Sequence, residues 1–214
     1  QGTSQLLTSH LDLSDPSAQI TPDVAEARQF DERLERGLAA GTFIAMTVEP
    51  RGYERAVDRL TARFPIQVID VESQILRALK HVAESKKVKW ERVLQADAEP
   101  GSEDWTRLMK LIRLVMPEVE QTVLSSEKSV LLIYAGLLAR YEQMDVLTRV
   151  REHVGKASGI PGLWMLIATD EQSPMPIMDG TAIPVIGPAE WARIPDRWLR
   201  IEIPNGNPLE AAAR

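Results

Sequence analysis

Few residues in this chain are arranged to do chemistry. It holds no cysteine, so thiolate nucleophiles, disulfides and Cys-ligated metals are excluded. Its three histidines, His10, His81 and His153, lie far apart. None has a second histidine at ligand spacing on one helix face. His81 and His153 read as surface positions of helices. A phosphate cradle needs glycines that let backbone amides close on the oxygens. Here the turn after the first apolar run is Glu49-Pro50-Arg51-Gly52-Tyr53. The Gly155-Lys156-Ala157 stretch follows a helical pattern, lacks Ser or Thr after the lysine, and has Val150 where the first loop glycine belongs. Neither G-x-G-x-x-G nor G-x-S-x-G occurs. An ATPase of this kind would end its central strand on a magnesium-binding acid, whereas Leu131-Leu132-Ile133 runs into Tyr134-Ala135-Gly136. These absences predict a domain that is not itself an enzyme and takes no metal and no cofactor.

The polar residues that remain stand just past the predicted strands: Glu49 and Arg51, Asp70, Arg140 and Tyr141, Asp170 and Glu171. Open α/β sheets bind ligands outside the carboxyl ends of their strands. The same residues would equally serve as helix caps and loop surface. The stretch Gly136-Leu137-Leu138-Ala139-Arg140-Tyr141 stands out, because two leucines straight after a buried strand imply a loop packed down on the sheet. An arginine carried there needs a carboxylate, with Asp170 and Glu171 as the candidates. Arg140 is then either a structural clamp or an anion-reading residue.

The elements that position these residues follow from apolar periodicity. Thr21-Pro22-Asp23 is a helix start, Phe30, Leu34 and Leu38 form its stripe, and Gly41 suits a left-handed end cap. The nearly continuous apolar run 42–48 predicts a strand buried on both faces. A helix through Tyr53, Ala56, Val57 and Leu60 follows, then a strand over 65–69, with Asp70 as the cap of the next helix. Short and long helices follow around Trp90 and from Ser102, the latter kinked or interrupted at Pro117. Strands over 129–134 and 162–169 flank a helix through Val146, Leu147 and Val150. A shorter strand over 182–186 should lie at an edge, since Pro184 has no amide donor. The predicted fold is α/β, a mostly parallel central sheet with helices on both faces, nucleotide-binding-like without a P-loop, and preceded by an N-terminal helix. Residues 1–20 read as a flexible arm or linker, 21–203 as a single domain and 204–214 as a tail.

Composition narrows the partners. The 214 residues carry a net charge of −6, which argues against strong nucleic-acid binding while leaving room for a local basic patch. The densest basic run, Lys86-Lys87-Val88-Lys89, reads as a solvated helix end. No apolar run reaches the ~20 residues of a membrane span and no signal-peptide pattern opens the chain, so a cytoplasmic setting is expected. Gln1 in place of Met reads as a piece of a longer protein, although a tag remnant or processing would leave the same start.

Several strings taken together resemble a known family. They are Asp104-Trp105-Thr106-Arg107-Leu108, the run VLLIYAGLLARY from Val130 to Tyr141, Gly162-Leu163-Trp164-Met165-Leu166, Ile183-Pro184-Val185-Ile186, and the stretch from Glu190 to Leu199. Over about residues 30–200 they resemble the C-terminal region of PglW-type proteins. Those are long kinase-containing components of bacteriophage-exclusion (BREX, phage growth limitation) defence systems. The element order is also similar to that of BrxB-type proteins. The chain departs from the pattern at Ala135, where a proline often precedes the glycine, and again at Arg200-Ile201-Glu202. The resemblance implies an antiphage-defence component whose kinase motifs lie elsewhere, since no Gly-rich nucleotide loop, H-R-D or D-F-G occurs here. The expected role is a non-catalytic interaction or regulatory domain that binds other defence subunits or the rest of its own chain. The alternative is a nucleotide- or anion-binding domain with its ligand near Arg51, Arg140 and Asp170. A third reading, a nuclease-like enzyme, draws on the scattered carboxylates.

Overall fold

In the computed structural model the described residues are 21–169 and 175–200. Helix α1 (Pro22–Ala40) begins with Pro22 behind an extended Thr21 and ends at Gly41, whose φ of 63° is left-handed. No side chain fits there, because a Cβ on Gly41 would lie 2.4 Å from the Pro161 carbonyl oxygen. Strand β1 (Phe43–Val48) is buried along its whole length, and a 3-10 turn over Pro50–Gly52 leads into α2 (Tyr53–Arg63). Strand β2 (Gln67–Asp70) delivers Asp70 as the cap of α3 (Val71–Ser85). Next come α4 (Trp90–Ala98) and α5 (Glu103–Leu124), the latter capped by Ser102.

Helix α5 is not interrupted at Pro117: it runs through the proline as one helix of 22 residues. Pro117 faces solvent, whereas Val115, Met116 and Val119 beside it are buried, so packing of the apolar stripe carries the helix across the missing hydrogen bond.

The chain continues through β3 (Val130–Ile133), α6 (Gly136–Arg140), α7 (Asp145–Arg151) and β4 (Leu163–Ala168). Two short strands, β5 (Ile177–Met178) and β6 (Thr181–Ala182), pair antiparallel as a separate hairpin. Strand β7 (Trp191–Arg193) and helix α8 (Asp196–Arg200) close the described chain. The central sheet has five strands in the order β2-β3-β4-β1-β7, and every pairing is parallel. This is the α/β architecture that the sequence predicts. The edge differs, since the strand expected over 182–186 reduces to the hairpin. Ile183 N–H is used by the Pro176 carbonyl at 2.9 Å and Pro184 has no donor, so the stretch cannot join the sheet. Trp191–Arg193 takes the edge beside β1 instead.

Both faces of the sheet are covered. Phe43, Ala45, Ile69, Leu132, Met165 and Ile167 point to the layer of α3 to α7. Ile44, Met46, Leu131, Trp164 and Leu166 point to α1, α2 and α8. On that second face Asp31 of α1 accepts from Trp198 Nε1 and from Arg63 Nη2, each at 3.0 Å, and so ties its three helices together. Strand β1 is followed by a helix on this face and its neighbour β4 by a connection on the other. The carboxyl ends of β1 and β4 therefore form the switch point where ligands of such sheets usually sit.

Candidate functional site

A cleft of about 740 Å3 opens at that switch point. Thr47 and Glu49 of the β1 end, Thr169 after β4 and Arg193 of β7 reach it from the sheet. Helices α1 and α8 contribute further charges. In all, the carboxylates of Asp23, Glu26, Glu49 and Asp196 meet the guanidiniums of Arg193, Arg197 and Arg200. Arg193 lies 3.3 Å from Glu49 and Arg200 lies 3.6 Å from Asp196. Such a surface has no concentrated field of either sign, and a polyphosphate would face four acids at once.

Of the residues singled out from the sequence, Glu49 lines this cleft, whereas Arg51, Asp70, Arg140 and Tyr141 do not. Arg51 is exposed in the 3-10 turn after β1 and does not line it. Asp70 is committed to capping, with Oδ1 accepting the Ser73 N–H and Oδ2 the Ser73 hydroxyl, both at 2.8 Å. Asp170 and Glu171 lie outside the described residues.

Arg140 and Tyr141 are brought together, but around a different acid. Arg140 Nε donates to Asp97 Oδ1 at 3.0 Å, its Nη2 donates to the Asp97 carbonyl at 2.7 Å, and the Tyr141 hydroxyl donates to the same Oδ1 at 3.0 Å. Trp105 completes the cluster, its ring 5.9 Å from that of Tyr141 and 5.7 Å from the guanidinium. Among the described residues the carboxylate partner is thus Asp97 of α4, which the sequence reading did not name, while its candidates Asp170 and Glu171 stay outside the described residues. Residues 136–140 form a helix and not a loop, and that helix leaves the sheet on the face of α3, α4 and α5, which carries Arg140 toward α4. The ion pair is wet, with side chains 41% and 33% exposed. Its hydrogen bond to Asp97 raises the Arg140 pKa. Burial, followed by the Asp97 charge and hydrogen bond, pushes Tyr141 up to about 12, so its hydroxyl stays a donor.

Sequence reasoning missed a second polar group. The buried Tyr53 hydroxyl donates to the Leu166 carbonyl at 3.3 Å and accepts the Tyr134 N–H at 3.0 Å. Tyr134 holds a left-handed φ of 50°, and its hydroxyl bonds to the Glu54 carboxylate. That bond is the first cause of a Tyr134 pKa raised to about 12. At the next turn a Cβ on Gly136 would lie 2.7 Å from Asp179 Oδ2. The carboxyl end of β3, where α/β enzymes often seat phosphates, is therefore occupied by the chain's own side chains. The one signal in the sequence was the aromatic Tyr134 where a small residue or an acid would stand.

A second cavity, of about 690 Å3, lies away from the strand ends, between the α3–α4 link and α5. The basic run Lys86-Lys87-Val88-Lys89 borders it, so this helix end is also one wall of a groove. Among the described residues no group of three or more His, Asp or Glu is placed to hold a metal, and no helix is long and apolar enough to cross a membrane.

Compared with known proteins, 189 residues of the chain are 32% identical to "Probable kinase PglW" of Streptomyces coelicolor (strain ATCC BAA-471 / A3(2) / M145). The chain carries a PglW-related region. The match takes in 83% of this chain but only 12% of the relative. No family model and no solved structure matches the chain. The comparison corrects the expectation that the chain is not an enzyme: the protein it matches bears the name of a kinase, so the absence of familiar motifs in 214 residues does not exclude an enzymatic setting.

Proposed function

We propose that this chain is an interaction or regulatory region of a PglW-type, BREX-related antiphage-defence protein, working in the cytoplasm on other defence subunits or on the rest of its own chain. The observation that carries this reading is the match to PglW over 83% of the chain. The filled end of β3 and an apolar groove elsewhere on the surface favour docking over a buried ligand. The test is to delete this region from the parent protein in cells carrying the whole defence locus. Expected are loss of phage restriction and loss of co-purifying locus products. Full restriction after deletion, or lost restriction with unchanged co-purification, counts against the reading.

One observation favours a nucleotide- or anion-binding alternative, namely that the larger cleft sits at the switch point of the sheet. Its mixed charge speaks against it. Calorimetric titration with Mg-ATP, and separately with inorganic phosphate, is expected to give no tight binding, and micromolar affinity for either would promote this second reading.

A further inference from the structure

The groove beside α5 has an aliphatic floor made by Val88, Val93, Ala96, Leu108, Leu111 and Leu114. Leu108, Leu111 and Leu114 follow one another at i, i+3 spacing, yet Leu114 is 57% exposed. The rim is cationic, carrying Lys86, Lys87, Lys89, Arg92, Arg107 and Lys110. Arg107 is held by Glu103 and Asp104, whereas among the described residues the other five enter no ion pair. In a chain of net charge −6 this is a local reversal of sign.

The wall is built deliberately at the end of α3. Val88 N–H closes on the Ala83 carbonyl at 2.8 Å, which brings Val88 into the floor between the flanking lysines. Lys87 holds a φ of 56°, a conformation in which glycine is the usual residue. A lysine is thus kept at the rim against its backbone preference.

We infer that this groove docks an acidic amphipathic helix of a partner protein. An aliphatic floor flanked by helical walls fits anchors spaced i, i+3 or i+4, and i+7, and the five cations select acidic residues on the flanks of that helix. Nucleic acid is a poorer occupant, since no aromatic ring lines the groove for bases to stack on. A second copy of the chain is also poor, because its own acidic helix α1 already buries its apolar face through Ala27, Phe30 and Leu34.

This inference rests on the reading of the chain as an interaction region and names the chemistry of the partner. Its test is a selection by the purified chain from a displayed library of random helical peptides of about 16 residues, long enough for four turns. Peptides that are net acidic, with apolar residues on one face, should be enriched. Their binding should weaken as salt is raised, and should fall about tenfold or more in Leu114→Asp and in the triple variant Lys86→Glu, Lys89→Glu, Lys110→Glu. These are exposed sites, so an unchanged thermal melt accompanies the loss. No enrichment, enrichment of neutral or basic peptides, or equal binding by Leu114→Asp overturns the inference. Tighter retention of duplex DNA or of phosphatidylserine vesicles through the same residues overturns it as well. If deletion of the whole region abolishes defence while both groove variants defend normally, the groove fails and the interaction reading stands.

Discussion

Arg140 and Tyr141 share one acceptor oxygen on Asp97, and that sharing decides what each substitution does. Removing the guanidinium breaks an ion pair whose members are 41% and 33% exposed, so the loss is that of a wet pair, about 1 kcal/mol. Arg140→Ala should therefore lower the melting temperature by about 2–4 °C, as calorimetry would measure. A drop several times larger would mean that the Asp97 carboxylate is left stranded. Tyr141 makes a prediction that depends on pH. Its pKa of about 12 in the fold stands above the ~10 of an unfolded tyrosine, so the folded chain keeps a proton that the unfolded chain releases. The resulting stabilisation is complete below pH ~10 and is lost as pH rises from about 10 to about 12. Denaturant midpoints should fall across that window, and less steeply in Tyr141→Phe. Tyr134, also raised to about 12, acts with the same sign, so the single variant flattens the profile without abolishing it. Equal slopes in the two proteins would contradict the assignment.

Among the elements, α5 holds the most testable contradiction between local preference and packing. Proline in a helix interior is about 3 kcal/mol worse than alanine, yet the helix passes through Pro117. Since Pro117 is exposed, Pro117→Ala should restore a backbone hydrogen bond without disturbing the core, stabilising the chain by about 1–3 kcal/mol in urea denaturation. A destabilised variant would show that the helix is shaped around the proline ring. The same competition explains which elements the sequence disclosed. Gly41, Asp70 and Ser102 act through hydrogen bonds within a few residues, so caps could be read directly. The run 43–48 is apolar without alternation because Ile44 and Met46 face one helical layer while Phe43 and Ala45 face the other. Strand β7 was not legible: it has three residues and pairs only with β1, whereas the longer apolar run 182–186 read better as a strand but lacks a usable ladder.

For the molecule as a whole, charge is the property with the widest reach. A net −6 with cations gathered at one groove predicts weak, nonspecific DNA binding that disappears at physiological salt. A gel-shift or anisotropy titration would check it, and submicromolar retention of a duplex at that salt would refute it. The strand-end cleft, with acids and arginines intermixed, adds no long-range attraction for a polyanion. The two cavities thus differ in kind, the one at the switch point polar and mixed, the one beside α5 apolar and ringed by positive charge.

By itself the sequence determined the alternation of strands and helices, the caps, and the lack of familiar phosphate or metal motifs, because each depends on neighbours a few residues apart. It also carried the 32% identity over 189 residues that reveals the PglW-related region. Only the tertiary structure decided that Arg140 meets Asp97, 43 residues earlier in the chain, and that Tyr53 seals the end of β3 from 81 residues away. The physical reason is winding. Strand order β2-β3-β4-β1-β7 and the face taken by each connection set which distant side chains meet, and those are set by burial summed over the whole core. The basic run Lys86–Lys89 became a groove wall for the same reason, once α5 packed against α3 and α4 and left Leu114 uncovered beside it.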